Sequence, residues 1–193
     1  MARKAVTSVL LALCTAIGLL IGGGGTAPAM ASNCQNTHTT AIDQALEDFD
    51  ASVFCLINEQ RAVHGRSALR PNGRLRRAAY DYATSMELGG FFSHYGDFFG
   101  HPAGATPISR LRQIGYIRRH NVWIVGENLH WTTADRSTPA DVLEAWMNSP
   151  EHRKCLLKPR FRDLGIAAVR GIPSDPSETD GITVASELGF RDS

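Results

Sequence analysis

The sequence has no excess of one charge and, beyond residue 31, no long apolar run. It carries 20 Lys plus Arg against 19 Asp plus Glu, so net charge gives no reason to expect nucleic acid or an anionic membrane as a partner. Apolar runs of about four or five residues are too short to cross a bilayer. The 193 residues, 43% of them apolar, therefore have the composition of one compact soluble domain.

Cysteine is scarce, with four in the chain and none at C-x-x-C spacing, which argues against a structural zinc knuckle. Cys14 lies in the N-terminal apolar run, so the remainder of the chain keeps Cys34, Cys55 and Cys155. An odd number allows one disulfide and one thiol outside it. We predict a bond between Cys34 and Cys55, which would fasten the start of the mature chain to the first helix. A bond between Cys55 and Cys155 is the alternative.

Residues 1–31 have the pattern of a secretory signal peptide. A short basic start precedes an apolar stretch and a glycine-rich break, and Ala29 and Ala31 supply the small residues that signal peptidase accepts. We predict cleavage after Ala31 and a secreted, extracellular protein, with residues 32–50 as an N-terminal segment and residues 51–193 as the domain. An uncleaved anchor is the alternative, because the apolar stretch is at the lower limit of a membrane span.

Hydrophobic periodicity and helix-capping residues predict an α+β fold. The predicted helices cover residues 42–63, as one helix or two, then 72–88, 107–114 and about 139–148. The predicted extended segments cover residues 122–129, as a strand or an irregular segment, then 164–169 and 182–188. The last two should pair as an antiparallel hairpin. We therefore expect helices packed on a small central sheet in one domain.

Candidate functional side chains lie in short polar segments next to these elements. His94 follows the end of the second helix, Glu127 follows a glycine, and Glu151 and His152 lie in the first turn of a helix that Ser149 would cap. Two imidazoles with a carboxylate between them are typical ligands of a divalent metal, with a position left for water. The same residue types also fit a buried hydrogen-bond network that ties loops to the sheet.

Five motifs in a fixed order resemble the CAP superfamily, which includes cysteine-rich secretory proteins, antigen 5 and pathogenesis-related proteins. They are residues 58–61, residues 92–94, Arg110 with Gly115 and Tyr116, residues 126–128, and residues 145–153 followed by 164–167. The resemblance covers about residues 53–190 and is closest to the bacterial secreted branch, with its SCP-like extracellular domain. It implies an α-β-α sandwich with a small antiparallel sheet and a concave cleft.

The resemblance also implies which residues line the cleft. His94, Glu127 and His152 match two histidines and one acid of the family. The histidines would coordinate Zn²⁺ or Mg²⁺, and Glu127 would orient one imidazole or act on a bound water. The family's fourth position, an acid in eukaryotic members, is Ser149 here, and Glu151 is the nearest replacement. The remaining motif residues are expected to be structural: Asn58, Arg61, Asn128, Trp146, Ser149 and Arg153.

Two function classes follow from the sequence. The first is a secreted binding domain for a small ligand, a lipid or a peptide, as the lipid- and sterol-binding members of the family suggest. The second is a metal-assisted extracellular hydrolase of peptide, phosphodiester or cell-wall material. The missing fourth acid and the lack of a G-x-S-x-G turn around Ser93 favour the first. We assign no catalytic residue and expect a monomer with no nucleic acid partner and no membrane span after signal removal.

Overall fold

A computed structural model describes residues 33–96, 105–119, 122–175 and 177–192. The predicted signal peptide and its cleavage site lie outside the described residues. The helices are α1 (Leu46–Val63), α2 (Gly73–Gly89), α3 (Pro107–Gln113), α4 (Pro139–Asn148) and α5 (Pro150–Leu156), with a 3-10 turn at Ala134–Arg136. The strands are β1 (Arg70–Pro71), β2 (Trp123–Thr132), β3 (Asp163–Arg170) and β4 (Ile182–Arg191).

The helix boundaries follow from local capping. The side chain of Asn72 accepts hydrogen bonds from the first backbone N–H groups of α2, and Gly90 ends that helix with φ 64°, a conformation that glycine adopts without strain. Thr138 and Asp141 form a reciprocal capping box at the start of α4. The first predicted helix is a single helix that begins at Leu46, because residues 39–44 form hydrogen-bonded turns instead.

The four strands form one sheet in the order β1-β3-β4-β2. The predicted hairpin of β3 and β4 is present, and β2 pairs antiparallel with the other side of β4. The segment predicted as strand or irregular is therefore a strand, and it extends to Thr132. β1 pairs parallel with β3 over two residues, too few to produce a periodic signal in the sequence.

Helices cover both faces of the sheet, which gives the expected α-β-α sandwich. On one side α1 packs on α4 and β3, and Trp146 is fully buried in that core. On the other side α2 packs on β3 and β4. A Cβ on Gly165 would lie 2.0 Å from the backbone nitrogen of Arg76, so the close crossing of α2 over β3 requires glycine there.

The disulfide prediction is confirmed. Cys34 and Cys55 are bonded, with a Cα–Cα distance of 5.7 Å and a sequence separation of 21 residues. Cys155 is buried and lies outside this bond. Within the part of the chain that the structure describes, no helix combines the length and apolar character of a membrane span.

Candidate functional site

The sheet and the segment after α2 bring His94 and Glu127 into contact. Glu127 lies in the middle of β2 with its side chain only 2% exposed, and its Oε1 is 2.7 Å from His94 Nδ1. Its Oε2 accepts a hydrogen bond from the guanidinium of Arg110, which is fully buried on α3. The His94 side chain is 48% exposed. A carboxylate buried beneath an accessible imidazole is thus the centre of the site.

Three contacts besides Glu127 hold Arg110 in place. Its guanidinium stacks on the Tyr82 ring, 3.3 Å from the ring centroid, and it donates to the backbone carbonyls of His94 and Ala105. The Tyr82 hydroxyl in turn donates to the carbonyl of Ser93. Arg110 therefore links α2, α3 and the His94 segment around one carboxylate, and a guanidinium, which carries several donors, suits that role.

A second carboxyl group, Glu187, lies directly across the sheet from Glu127. The two are paired residues of β4 and β2, and Glu187 is fully buried. As a carboxylate, Glu187 would find no hydrogen-bond donor among the described residues for either oxygen. Its carboxylic acid form is favoured by burial, by the negative charge of Glu127 and by a hydrogen bond with Glu127, which together raise the pKa of Glu187. Like charges facing each other across a sheet are destabilising, so one shared proton resolves the conflict.

Burial and charge set opposite pKa shifts for the two acids. Burial, followed by the negative charge of Glu127, raises the pKa of Glu187 well above its usual value of 4.5. Burial also opposes ionisation of Glu127, but Arg110 and the hydrogen bonds from His94 and Glu187 outweigh it, and the pKa of Glu127 is lowered. The two opposite shifts thus favour one guanidinium, one carboxylate and one carboxylic acid in the buried group.

His152 lies near this group, on the first turn of α5. Burial and the neighbouring His94 lower the pKa of His152, while Glu151 acts against this shift. His130, on β2, has a pKa lowered to about 4 by burial and by His152. At neutral pH both rings are therefore neutral. Asn128 joins the two elements, since its Nδ2 donates to the backbone carbonyl of His152 over 3.2 Å.

The chemistry of the donor set fits a metal ion at the predicted histidines. Glu127 accepts from His94 Nδ1–H, which leaves the lone pair on Nε2, and a carboxylate behind a ligating imidazole is the usual arrangement in metal sites. His152 is neutral, as a ligand must be. Within the described ranges, His94, Glu127 and His152 do not form a group of three donors with atoms within 4.8 Å of one another. The one such group there is Cys34, Cys55 and Glu59, and the disulfide occupies both of its sulfurs.

The predicted structural residues lie around the site without entering it. The Asn58 side chain exchanges hydrogen bonds with the backbone of Leu69, and the buried Arg61 donates to the carbonyls of Ser67 and Leu156. Trp146 donates to the carbonyl of Leu129 over 3.1 Å. Arg61 thus has a structural role as a donor to buried carbonyl groups.

The region around α5 differs in detail from the sequence expectation. Ser149 has N-cap backbone angles, but its side chain makes no capping hydrogen bond. Arg153 donates to the carbonyl of Met147 over 2.8 Å. Glu151 is exposed at the start of the helix and acts on His152 through its charge alone. Asn128 belongs to strand β2, within the segment predicted as strand or irregular.

A separate cavity of about 470 Å³ lies at the edge of the sheet, between α1 and the start of α2. Its lining includes Asp50, Phe54, Arg76 and Ile166, and it contains none of the histidines. Burial raises the pKa of Asp50 to about 7. This cavity is therefore distinct from the His94 site.

Sequence reasoning missed Glu187 and the role of Arg110. Glu187 is the one charged residue between Ile182 and Phe190 on strand β4, a run of otherwise apolar and hydroxyl-bearing residues, and an acid in such a run is a signal of burial with a partner. Its partner could not be named, because that requires the register of β2 on β4. Arg110 was recognised only as a motif residue, since an arginine on a short helix is ordinarily exposed.

Comparison with known proteins agrees with this fold. The model of the Cysteine-rich secretory protein family, CAP, matches residues 54–174. The protein YkwD of Bacillus subtilis (strain 168) is 27% identical over 143 residues, which are 74% of this chain and 50% of YkwD. The chain thus spans half the length of that relative.

Two solved structures share the fold. An extracellular protein containing a SCP domain from Bacillus anthracis str. Ames matches with a TM-score of 0.57 and 24% identity, over 75% of this chain and 41% of that protein. An outer surface protein from Borrelia burgdorferi matches with a TM-score of 0.56 and 21% identity, over 72% of this chain and 90% of that protein. At such low identity these similarities speak for the fold alone.

Proposed function

This chain belongs to the cysteine-rich secretory protein (CAP) family, and from that premise we propose that it is an extracellular binding domain whose cleft holds a small ligand, a lipid or a peptide. Residues 1–31 serve as the signal peptide, and residues 51–193 form the binding domain. Membership of a secretory protein family supports this location. The contact of 2.7 Å between His94 Nδ1 and Glu127 Oε1 carries the proposal.

Binding accounts for this arrangement better than hydrolysis. A general base needs a free oxygen near the reacting water. Both oxygens of Glu127 already have partners, His94 and Arg110, and the side chain is only 2% exposed, so Glu127 fixes the imidazole and is not accessible to a substrate. The Ser93 hydroxyl accepts from the backbone N–H of Tyr95 and lacks the sharp turn that exposes a nucleophile.

His94 and His152 would hold a divalent metal ion as part of this cleft. Neutral imidazole suits Zn²⁺ better than Mg²⁺, which prefers oxygen ligands. A bound Zn²⁺ would supply a Lewis acid that attracts an anionic or carbonyl group of the ligand. The chain itself contributes the fixed orientation of His94 through Glu127 and a buried guanidinium that keeps Glu127 ionised.

Calorimetric titration of Zn²⁺ tests the metal part of the proposal. The wild-type domain is compared with the double variant His94→Ala, His152→Ala and with a matched control, His38→Ala, His64→Ala, which removes two exposed histidines elsewhere. We expect the first pair to abolish binding and the control to retain it. Equal affinity in both double variants would contradict coordination by His94 and His152.

Turnover assays separate binding from the hydrolase alternative. The Zn²⁺-loaded domain is incubated with a peptide library, a phosphodiester and purified cell-wall polymer, and products are measured by mass spectrometry. We expect ligand retention without turnover. Cleavage that disappears in the variant His94→Ala, His152→Ala would overturn the binding proposal in favour of a hydrolase.

A further inference from the structure

Four arginines from four different elements meet at the end of the sheet where β1 begins and β4 ends. We call this group the arginine end; it consists of Arg70 on β1, Arg74 on α2, Arg112 on α3 and Arg191 on β4. The sequence alone does not indicate that these four side chains lie together, because they are separated by up to 121 positions. The overall charge is also balanced, at 20 basic and 19 acidic side chains.

Tyr116 is the common neighbour that shows how the arginine end is assembled. The guanidinium of Arg191 lies 5.2 Å from the Tyr116 ring centroid. The Tyr116 hydroxyl donates to Asp163 over 2.9 Å, and the same carboxylate accepts from Arg70. A Cβ on Gly115, the residue before Tyr116, would lie 4.0 Å from Arg74 Nε. Arg191 therefore lies against the Tyr116 ring, Arg70 reaches Tyr116 through Asp163, and Arg74 lies near the preceding residue.

Arg112 extends this surface on the β2 side. Its guanidinium lies 6.0 Å from the Trp123 ring centroid, and Trp123 is the residue paired with Arg191 in the sheet. The Arg70 side chain is 74% exposed, and Arg74 and Arg112 are exposed as well. The positive groups are thus accessible to a ligand in solution.

Two acids in the region do not neutralise this surface. Asp163 is 12% exposed and already bound by Arg70 and Tyr116. Asp192 accepts from the backbone N–H of Val122 over 2.9 Å. Four guanidinium groups against two carboxylates leave a local positive excess in a chain that has almost none overall. A local excess of this kind attracts a polyanion.

We propose that the arginine end binds a linear phosphate polymer that carries no bases. Guanidinium groups match phosphate oxygens with paired hydrogen bonds, and several groups spread over four elements suit a chain of phosphates better than one ion. The site is on a different part of the sheet from the His94 cleft, so it is a second binding function beyond the proposed one.

The side chains around the arginine end favour such a polymer over other anionic partners. Single-stranded nucleic acid needs open aromatic faces for base stacking, whereas Tyr116 is fully buried and Arg112 lies against Trp123. A membrane surface needs several exposed apolar side chains beside the charges. Among the described residues next to the group, Val122 is the one large apolar side chain that is exposed.

Binding of inorganic polyphosphate at varied salt concentration tests the proposal. Four phosphate contacts predict a decrease in affinity of about 50-fold between about 50 and about 200 mM salt, by the counterion relation for single-stranded polyanions. The double variant Arg74→Gln, Arg112→Gln should bind more weakly and decrease only about 7-fold over the same range. The matched control, Arg77→Gln, Lys154→Gln, removes two exposed charges outside the group and should behave as wild type.

Each outcome decides for or against the proposal. Equal weakening in the control would show non-specific attraction and overturn it. Tighter binding of single-stranded DNA per phosphate, or binding to anionic phospholipid vesicles but not to polyphosphate, would also overturn it. Circular dichroism and thermal unfolding verify folding of each variant, and the single variants Arg74→Gln and Arg112→Gln provide the same test if the double variant unfolds.

Discussion

Replacing Arg110 with methionine should strongly destabilise the domain at neutral pH. Arg110 is fully buried, and its guanidinium donates to Glu127, whose side chain is 2% exposed. Removing one partner of a buried ion pair costs about 3–5 kcal/mol, because the other charge remains in a poorly solvating environment. The lost stacking on Tyr82 adds to this cost. We therefore expect the free energy of unfolding to decrease by at least about 3 kcal/mol.

Urea unfolding at several pH values measures this effect and its origin. Because the pKa of Glu127 is lowered in the folded protein, its stabilising contribution exists above the unfolded pKa and disappears as pH falls. The penalty of Arg110→Met should therefore shrink in acid. The double variant Arg110→Met, Glu127→Gln should be more stable than Arg110→Met alone, since it removes the stranded charge.

The control for this prediction is Arg66→Met, an exposed arginine that should change stability by less than about 0.5 kcal/mol. A loss below about 1 kcal/mol for Arg110→Met, with no coupling to Glu127, would refute the reasoning. It would mean that the buried pair makes no net contribution over a methionine of similar volume.

Four further predictions concern stability and protonation. Reducing the disulfide between Cys34 and Cys55, which are 21 residues apart, should lower the free energy of unfolding by about 3 kcal/mol, as measured by urea unfolding with and without reductant. The pKa of Asp50 is raised from 3.8 to about 7. As pH rises between these two values, the free energy of unfolding of the wild type should therefore fall by up to about 4 kcal/mol relative to that of Asp50→Asn. Parallel plots of unfolding free energy against pH for the two proteins would contradict this. The pKa of His130 is lowered to about 4, so NMR titration should show a neutral His130 ring at pH 5, where an ordinary histidine with a pKa of 6.5 is mostly charged. A His130 pKa near 6.5 would contradict this prediction. Because the pKa of Glu187 is raised in the folded protein, its contribution to the stability of the wild type should decrease as pH rises above 4.5. Glu187→Gln keeps a hydrogen-bond donor without this dependence, so the variant should become more stable than wild type over that pH range. The same pH profile of stability in both proteins would exclude a protonated Glu187.

The sequence predicts most of the architecture because its signals are local. The caps at Asn72 and Thr138 define where α2 and α4 begin, and two short apolar runs rich in β-branched residues indicate the hairpin of β3 and β4. Helix α1 is shorter at its start than the periodic pattern indicates. The spacing of apolar residues indicates which residues face the core. It does not show whether the segment before α1 is helical, because the turns there also bury an apolar residue, Ala41.

The candidate site was only partly predictable because it depends on long-range register. His94 and Glu127 belong to short motifs, so their role was inferred from the resemblance to the family. The pairing of Glu127 with Glu187 arises from the alignment of β2 with β4, which no local pattern specifies. Burial of Arg110 likewise depends on how α3 packs against Tyr82.

The central claim is that His94 and His152 act together above Glu127, and Zn²⁺ affinity in a double-mutant cycle tests it most directly. The wild-type domain, His94→Ala, His152→Ala and the combined variant are titrated calorimetrically under the same conditions. The account predicts that each single substitution weakens binding at least about tenfold and that the two effects are not additive, as for ligands of one ion. Wild-type affinity in either single variant would contradict it.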